Sequence, residues 1–410
     1  MKTRLMLFIA CLSWSVPAIC SGIYFGTGDL MYQIFPDAGN ACVIGLNGPS
    51  LQETIKSATI LSEVNYEGKK FTVTSIDNAF NHCPCLESVT IPNTITSIEG
   101  SSFIGCPMLK SISLPPSVTR IGPRAFEDCT GLTSISIPDG INEIEPWCFS
   151  GCGSLSSVRL GNAVGSIKTE AFRFCSSLKS LIVPLECTSI GAQAFEGCTA
   201  LQDVIFNEEL AEIGSSAFGS CTSLKSIVIP PSVQERLGNA AFQYCDSLVS
   251  VTVGDYVPVM GSYCFQYCKS LKTVVLGSSL REMGYQVFQF CPGIESVTVK
   301  AVDPPFVYEN ETAQFDQFDQ IVYDTAVLTV PAESIEAYRQ HDVWGKFRHI
   351  QSASGIDEVI SDSAFDVSIP VDVYLLSGEK VFEGMMKDSS LQPGTYIIRQ
   401  GNIAVKKIVR

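Results

Sequence analysis

Apolar positions recur along this chain with a period of 23 residues. Phenylalanine falls at 80, 103, 126, 149, 172, 195, 218, 242, 265 and 288, a step of 23 broken once by a step of 24 between Phe218 and Phe242. Three residues after each Phe stands a cysteine, from Cys83 to Cys291, and three further on a Leu, or Ile294 in the last copy. An apolar-x-apolar pair follows, from Val89/Ile91 to Val297/Val299, and Pro closes it at 92, 115, 138, 184 and 230. Residues two apart face one side of an extended strand, so each copy predicts a short strand with one apolar face. A single such strand cannot enclose a core. Stacked copies can, because each buries its face on its neighbours. With parallel strands about 4.8 Å apart, ten copies predict a sheet about 48 Å long. Pro has no N–H to pair and marks the exit of the strand. The Ile-Gly steps at Gly122, Gly191 and Gly214 predict turns with an unusual backbone angle. Phe and Cys are expected to point inward on the return segment.

The flanks read differently. Residues 22–75 lack the period, and the apolar stretches 30–34, 41–46 and 71–76 predict short strands. They are expected to form an N-terminal β cap over the first coil of a solenoid spanning 76–300. Residues 301–352 predict a C-terminal cap. Within it, 327–331 repeats the strand-then-Pro phrase, a helix is expected over about 332–341, and Trp344 and Phe347 supply bulk to seal the last coil. Residues 303–324 carry six acids and no base, which reads as a solvated loop; their spacing matches no calcium motif. Residues 353–410 predict a separate small all-β module of two hairpins, 371–376 with 380–382 and 393–399 with 404–409, the second turning at Gly401-Asn402.

The first 21 residues read as an address. Lys2 and Arg4 precede an apolar run over 5–12, and Val16-Pro17-Ala18 and Ala18-Ile19-Cys20 each offer a small-residue cleavage site. A secretory signal peptide over 1–21 and export of the chain are expected. Ile19 before Cys20 argues against lipidation, which needs a small residue there.

Composition narrows the classes. A formal net charge of −15 repels phosphate backbones, so no nucleic-acid partner is expected. No apolar run beyond the N-terminus is long enough for a transmembrane segment. Seventeen cysteines in an exported chain would suggest a disulfide scaffold, yet ten form the repeat ladder. Cys148 and Cys264 occupy a small position that is Ala at 125 and 171, and Cys187 occupies an apolar slot. Those thirteen read as small buried hydrophobes. Cys11 and Cys20 belong to the signal region. Only Cys42 and Cys85 lack a role in the repeat, and both lie near the N-terminal end of the stack, where they are candidates for a pair.

Catalytic chemistry finds no foothold. The three histidines, His82, His341 and His349, are scattered, and no nucleophile elbow, zinc-protease helix, phosphate loop or dinucleotide fingerprint occurs. Cys148-x-x-x-Cys152 and Cys264-x-x-x-Cys268 have no nearby His and are explained by the ladder. No enzyme activity, cofactor or metal is expected.

The phrase Ile91-Pro92, Ile95, Ile98, Ala125-Phe126, Cys129, Leu132 resembles the BspA-like leucine-rich-repeat family, also called the Treponema pallidum type, over about residues 70–352. The fold class expected is a β-rich repeat solenoid, a right-handed leucine-rich-repeat array of ten 23-residue repeats with caps at both ends and a small all-β C-terminal module. Ser377-Gly378-Glu379-Lys380-Val381 and 391–399 resemble the C-terminal sorting modules of Bacteroidetes surface proteins, though without their early Asn-Pro phrase. Asp324-Thr325-Ala326 and Asp362-Ser363-Ala364 are similar to the short O-glycosylation motif of that phylum. The resemblance implies a secreted or cell-surface protein, with the periplasm as alternative, that adheres to a host or matrix protein or a glycan. A structural spacer with no dedicated ligand is the other reading.

Binding by a solenoid falls to variable positions on a constant frame. The residue between the two inward apolars reads Thr90, Ser113, Ser136, Arg159, Ile182, Ile205, Val228, Thr252, Val275 and Thr298. Ile182, Ile205 and Val228 predict a flat apolar strip at mid-array, against a plain β-propensity reading. A second row lies just before the repeat cysteine, where Tyr244, Tyr267 and Phe290 are consecutive and Phe174 lies further back. Exposed aromatic rows favour protein and glycan contacts; the competing reading is that neighbouring rings pack on each other. Ile182, Ile205, Val228, Tyr244, Tyr267 and Phe290 are the candidate ligand-binding residues.

Overall fold

Two short parallel strands and a return segment make up most coils; residues 112–114 are not a strand, and Leu237 makes only isolated bridges. The computed structural model describes residues 22–308 and 316–353, and four strands between 371 and 409. The signal-peptide expectation and Asp362-Ser363-Ala364 lie outside the described residues. The first strand of each coil is the Leu-x-x-Val-x-Ile phrase. Ser134–Ser136 pairs in parallel with Ser157–Arg159, and Ser180–Ile182 with Asp203–Ile205. Ser226–Ile229, Ser250–Val253, Thr273–Leu276 and Ser296–Val299 then continue as one sheet. A second row has strands of only two residues, such as Glu143–Ile144, Ser166–Ile167, Ser189–Ile190 and Glu212–Ile213. Their inward Ile recurs at 98, 121, 144, 167, 190 and 213 with the same period of 23, but a strand of two residues shows no apolar-polar alternation of its own.

The return segments hold the core together. The ten repeat phenylalanines form one continuous ring stack from Phe80 to Phe288, with centroids 5.2–5.6 Å apart and planes within 9°. Near-parallel rings at this spacing are in the offset-stacked range. Beside the rings, Sγ of each repeat cysteine from Cys106 to Cys291 donates to the carbonyl of the Phe one coil earlier, at 3.0–3.4 Å. The cysteines are thus small apolar fillers and also donors. Ala would leave part of that space empty and remove the Sγ donor, while the carbonyls of Phe126, Phe149, Phe172, Phe195 and Phe218 keep the backbone amide of the cysteine three residues on. Cys42 and Cys85 do not pair: both are free thiols, and Cys42 is buried inside the N-terminal sheet with Sγ on its neighbour Val43 O at 3.4 Å.

Gly122, Gly191 and Gly214 correct the expected backbone angle. None has positive φ. A Cβ on Gly122 would lie 2.5 Å from the backbone nitrogen of Gly100, and one on Gly214 would lie 2.6 Å from that of Ala192. These glycines are needed because adjacent coils touch backbone to backbone there. The single extra residue between Phe218 and Phe242 is absorbed between Val233 and Leu237. Leu237 still bridges Ile213 and Met260, and the rings of Phe218 and Phe242 remain 5.3 Å apart.

Both rows run on into the flanks. Leu30–Phe35, Asn40–Leu46 and Lys69–Ile76 are strands, joined by Ile23–Thr27, Ser57–Thr59 and Glu63–Tyr66. Ser57–Thr59 pairs in parallel with Ser88–Thr90, and Lys69–Ile76 with Ser97–Ile98, so the N-terminal cap begins both rows. At the other end Val327–Val330 and His349–Ser352 add two further parallel strands to the first row. The expected helix is a 3-10 turn, Ala332–Ser334, leading into Ile335–Gln340. In the tail, Val371–Leu375 pairs antiparallel with both Lys380–Gly384 and Gly394–Gln400, and the latter with Ile403–Val409.

The acidic segment is not merely a solvated loop. Alternate return-segment amides point to the following coil: Phe80 N donates to Ser102 O at 2.9 Å, Phe103 N to Ala125 O at 2.8 Å, and Phe265 N to Val287 O at 3.0 Å. After the last coil they need acceptors. Val287 N donates to Gln317 Oε1 at 3.0 Å and Phe288 N to Gln317 O at 3.2 Å, while the ring of Phe318 stacks on Phe288 at 5.4 Å. Asp319 accepts from Gln289 Nε2 at 2.8 Å. Burial raises the pKa of Asp319, and the amides of Cys291 and Phe290 partly offset this by stabilising its charged form. Gln317-Phe318-Asp319 is therefore a truncated final rung. Tyr323 and Phe347 pack edge-on against Phe318, and buried Trp344 donates from Nε1 to Pro305 O at 3.1 Å. Asp316 pairs with Lys346 and Asp324 with Arg348, which ties this segment to the end of the cap.

Candidate functional site

Two residues in each return segment adopt left-handed backbone conformations, one two residues before the repeat Phe and one two residues after it. The first position runs from Asn78 to Gln286 and includes Arg124, Trp147 and Tyr263; φ lies between 50° and 62°. The second is Gly105, Gly151 and Gly197 in three coils, and His82, Asp128, Phe174, Ser220, Tyr244, Tyr267 and Phe290 in the others. Left-handed backbone is easy for Gly and unfavourable by roughly 1–2 kcal/mol for other L-residues. The second aromatic row thus occupies turn positions where other coils place glycine. Sequence spacing located the row but could not show its backbone strain.

The rings of this row lie on one another. Tyr244 stacks on Tyr267 at 4.7 Å and 15°, and Tyr267 on Phe290 at 4.4 Å and 18°. Tyr244 is 43% exposed, and Tyr267 and Phe290 are half-buried. A glutamine chain runs beside them: Gln243 Nε2 donates to Gln266 Oε1 at 2.6 Å and Gln266 Nε2 to Gln286 Oε1 at 2.9 Å. The inner ring faces are consumed by stacking. Tyr244, at one end of the stack, is the most exposed of the three. Phe174 is 50% exposed, and the Arg173 guanidinium lies 4.5 Å above its ring, held by Glu170 and Glu196.

The mid-array strip is not assembled as a continuous apolar face. Val228 is 43% exposed, Ile182 is half-buried and Ile205 is 8% exposed. Ile182 and Ile205 are paired neighbours, but the strand row is interrupted between Asp203–Ile205 and Ser226–Ile229.

Among the described residues, no group of reactive side chains stands beside these surfaces. Burial pushes the ladder thiols up, Cys106 to about 12 and Cys83 and Cys187 to about 11, so thiolate is suppressed. The histidines are far apart in the chain: His82 is an exposed turn residue, His341 Nδ1 accepts from Val343 N at 3.2 Å, and His349 lies on the last strand of the first row. Among the described residues, no group of three or more His, Cys, Asp or Glu could hold a metal ion. Among the same residues, no helix is long and apolar enough to cross a membrane.

Stacked parallel coils with a repeated Leu, Phe and Cys core define a leucine-rich-repeat solenoid. The chain belongs to the family of the BspA type leucine rich repeat region, whose model matches residues 74–202 and 188–303 in six copies, more than half of the sequence. Among solved structures, a leucine rich cell surface protein from Faecalibacterium prausnitzii A2-165 is 21% identical, covers 82% of this chain and 96% of its own, and has a TM-score of 0.43. A leucine-rich repeat protein from Bacteroides ovatus is 23% identical over 80% of this chain and 99% of its own, with a TM-score of 0.41. The pneumococcal vaccine antigen PcpA is 18% identical over 81% of this chain and 97% of its own, with a TM-score of 0.49. No curated protein matches the chain in sequence.

Proposed function

We propose that this is an exported, non-catalytic surface protein that binds a host or matrix protein along the flank carrying Tyr244, Tyr267 and Phe290. The observation that carries this reading is the run of three consecutive aromatic residues, Tyr244, Tyr267 and Phe290, at a left-handed turn position that is glycine in three other coils. Stacking of neighbouring rings contributes about 0.5–1.5 kcal/mol per pair beyond buried area and offsets part of the cost of that turn. The same stacking bears on the ligand. A sugar needs an open ring face, and stacking covers both faces of Tyr267 and one face each of Tyr244 and Phe290. A row of ring edges and hydroxyls suits a flat protein surface better, so protein is favoured over glycan. Ile182, Ile205 and Val228 are secondary, because Ile205 is buried.

Replacing Tyr244, Tyr267 and Phe290 together by Gly tests this reading. Gly fits the left-handed turn, and the Phe and Cys stacks beneath are untouched, so the circular dichroism spectrum is expected to stay native. Binding to the best protein hit from a host and matrix protein array is expected to fall at least tenfold, as for loss of central aromatic anchors. Unchanged binding would remove this flank from the site, and unfolding would make the three rings core. An array with no hit at all would favour the spacer reading.

A further inference from the structure

We propose that the cavity between the N-terminal cap and the first coil binds an organic cation, a primary ammonium carried on an alkyl stem. This site is separate from the aromatic flank and does not rest on the reading given for it. The cavity measures about 310 Å³, at the small end of ligand pockets, with Leu46, Pro49 and Gln52 on the cap side and Asn78, Ala79 and Asn81 on the coil side.

Its chemistry follows from the polarity of the stack. Alternate amides of each return segment point forward and alternate carbonyls face backward: Ser102 O and Ile104 O accept from Phe80 N at 2.9 Å and His82 N at 2.7 Å. The equivalent carbonyls of the first coil, 23 residues earlier, are those of Ala79 and Asn81. No preceding repeat supplies amides to them. Gln52 stands in for one, donating from Nε2 to Asn81 O at 2.8 Å and reaching His82 O at 3.4 Å. Ala79 lines the cavity, and Asn81 Oδ1 is buried without a hydrogen-bond partner in the structure. Asn78 Oδ1, which accepts from Asn81 Nδ2 at 2.9 Å, adds a third oxygen. An ammonium carries three donors and no acceptor, and so matches this set. Neutral amide oxygens without a carboxylate are a weak set for calcium. Burial raises the pKa of Cys83, which lines the cavity, and the negative charge of Glu53 adds to the rise. Leu46 and Pro49 give an alkyl stem an apolar wall.

The test uses the full chain and calorimetric titration with n-butylammonium chloride and Nα-acetyl-lysine amide. The uncharged counterparts are n-butanol and Nα-acetyl-norleucine amide, and ammonium chloride is the inorganic control. Both alkylammonium probes are expected to bind, and more weakly as salt rises; the uncharged ones are not. Tighter binding of the lysine amide assigns the natural source to a polypeptide side chain, and tighter binding of butylammonium assigns it to a free amine. Asn81→Asp places a charge on the unpartnered oxygen and is expected to tighten binding about tenfold. Asn81→Leu is expected to abolish it with a native circular dichroism spectrum. Equal binding of charged and uncharged probes overturns the proposal. So does ammonium chloride binding as tightly as the alkylammoniums, absence of binding well above millimolar concentrations, or indifference to Asn81→Asp.

Discussion

Raised from pH 8 to pH 10.5 under reducing conditions, the solenoid is expected to unfold cooperatively. Thirteen thiols have pKa values raised chiefly by burial, among them Cys42 and Cys187 at about 11 and Cys106 at about 12. In an unfolded chain a thiol titrates near 8.5. The folded value lies above the unfolded one, so the stability linked to each thiol is whole below about pH 8.5. It is lost as pH rises toward the folded value, because only the unfolded chain releases the proton. At pH 10 the unfolded state gains roughly 2 kcal/mol per thiol, or about 26 kcal/mol for thirteen. Ordinary domains hold about 5–15 kcal/mol in total. Far-ultraviolet circular dichroism against pH measures the midpoint. Each ladder thiol replaced by Ala should flatten the slope by about 1.4 kcal/mol per pH unit. A native spectrum after equilibration at pH 11 would show that the thiols are not sealed as the structure has them.

Phe172→Ala is expected to destabilise the array by about 3–5 kcal/mol, the range for deleting a buried aromatic ring. Phe172 is fully buried and stacks on Phe149 and Phe195, at 5.2 Å on each side. In a linear array stability is a sum over repeats and the interfaces between neighbours. The cavity falls at mid-array, so it weakens the coupling between the two halves as well as the local coil. Urea unfolding should therefore shift to lower concentration and broaden into two steps. A loss below about 1 kcal/mol would mean that neighbouring coils slide together to fill the gap, against the low compressibility of packed interiors.

The two effects share a cause. The Phe stack and the thiol ladder are one device repeated, and each coil depends on the coils beside it. That is why the ends need special residues. Gln52 supplies donors to backward-facing carbonyls, and Gln317 supplies acceptors to forward-facing amides. The aromatic flank at Tyr244, Tyr267 and Phe290 lies outside this device, in turns whose backbone tolerates glycine.

The sequence by itself determined the coil, because period, strand and core lie within 23 residues of one another and local spacing states them. Phe172, Cys175 and Leu178 could be placed inward from their neighbours in the chain alone. Whatever depends on contacts between coils was decided only by the tertiary structure. Gly122 is glycine because Gly100 lies against it, and the thiols donate because a carbonyl one coil away comes within 3.4 Å. Cys42 and Cys85 both lie near the N-terminal end of the stack yet are not bonded, and Cys42 is buried in the cap sheet. Phe318 belongs to the ring stack although it follows Phe288 by 30 residues, a step no search at period 23 would match. Exposure was the least legible property of the candidate site. Ile182, Ile205 and Val228 look equivalent along the chain, but Ile205 is buried, Ile182 half-buried and only Val228 of the three well exposed.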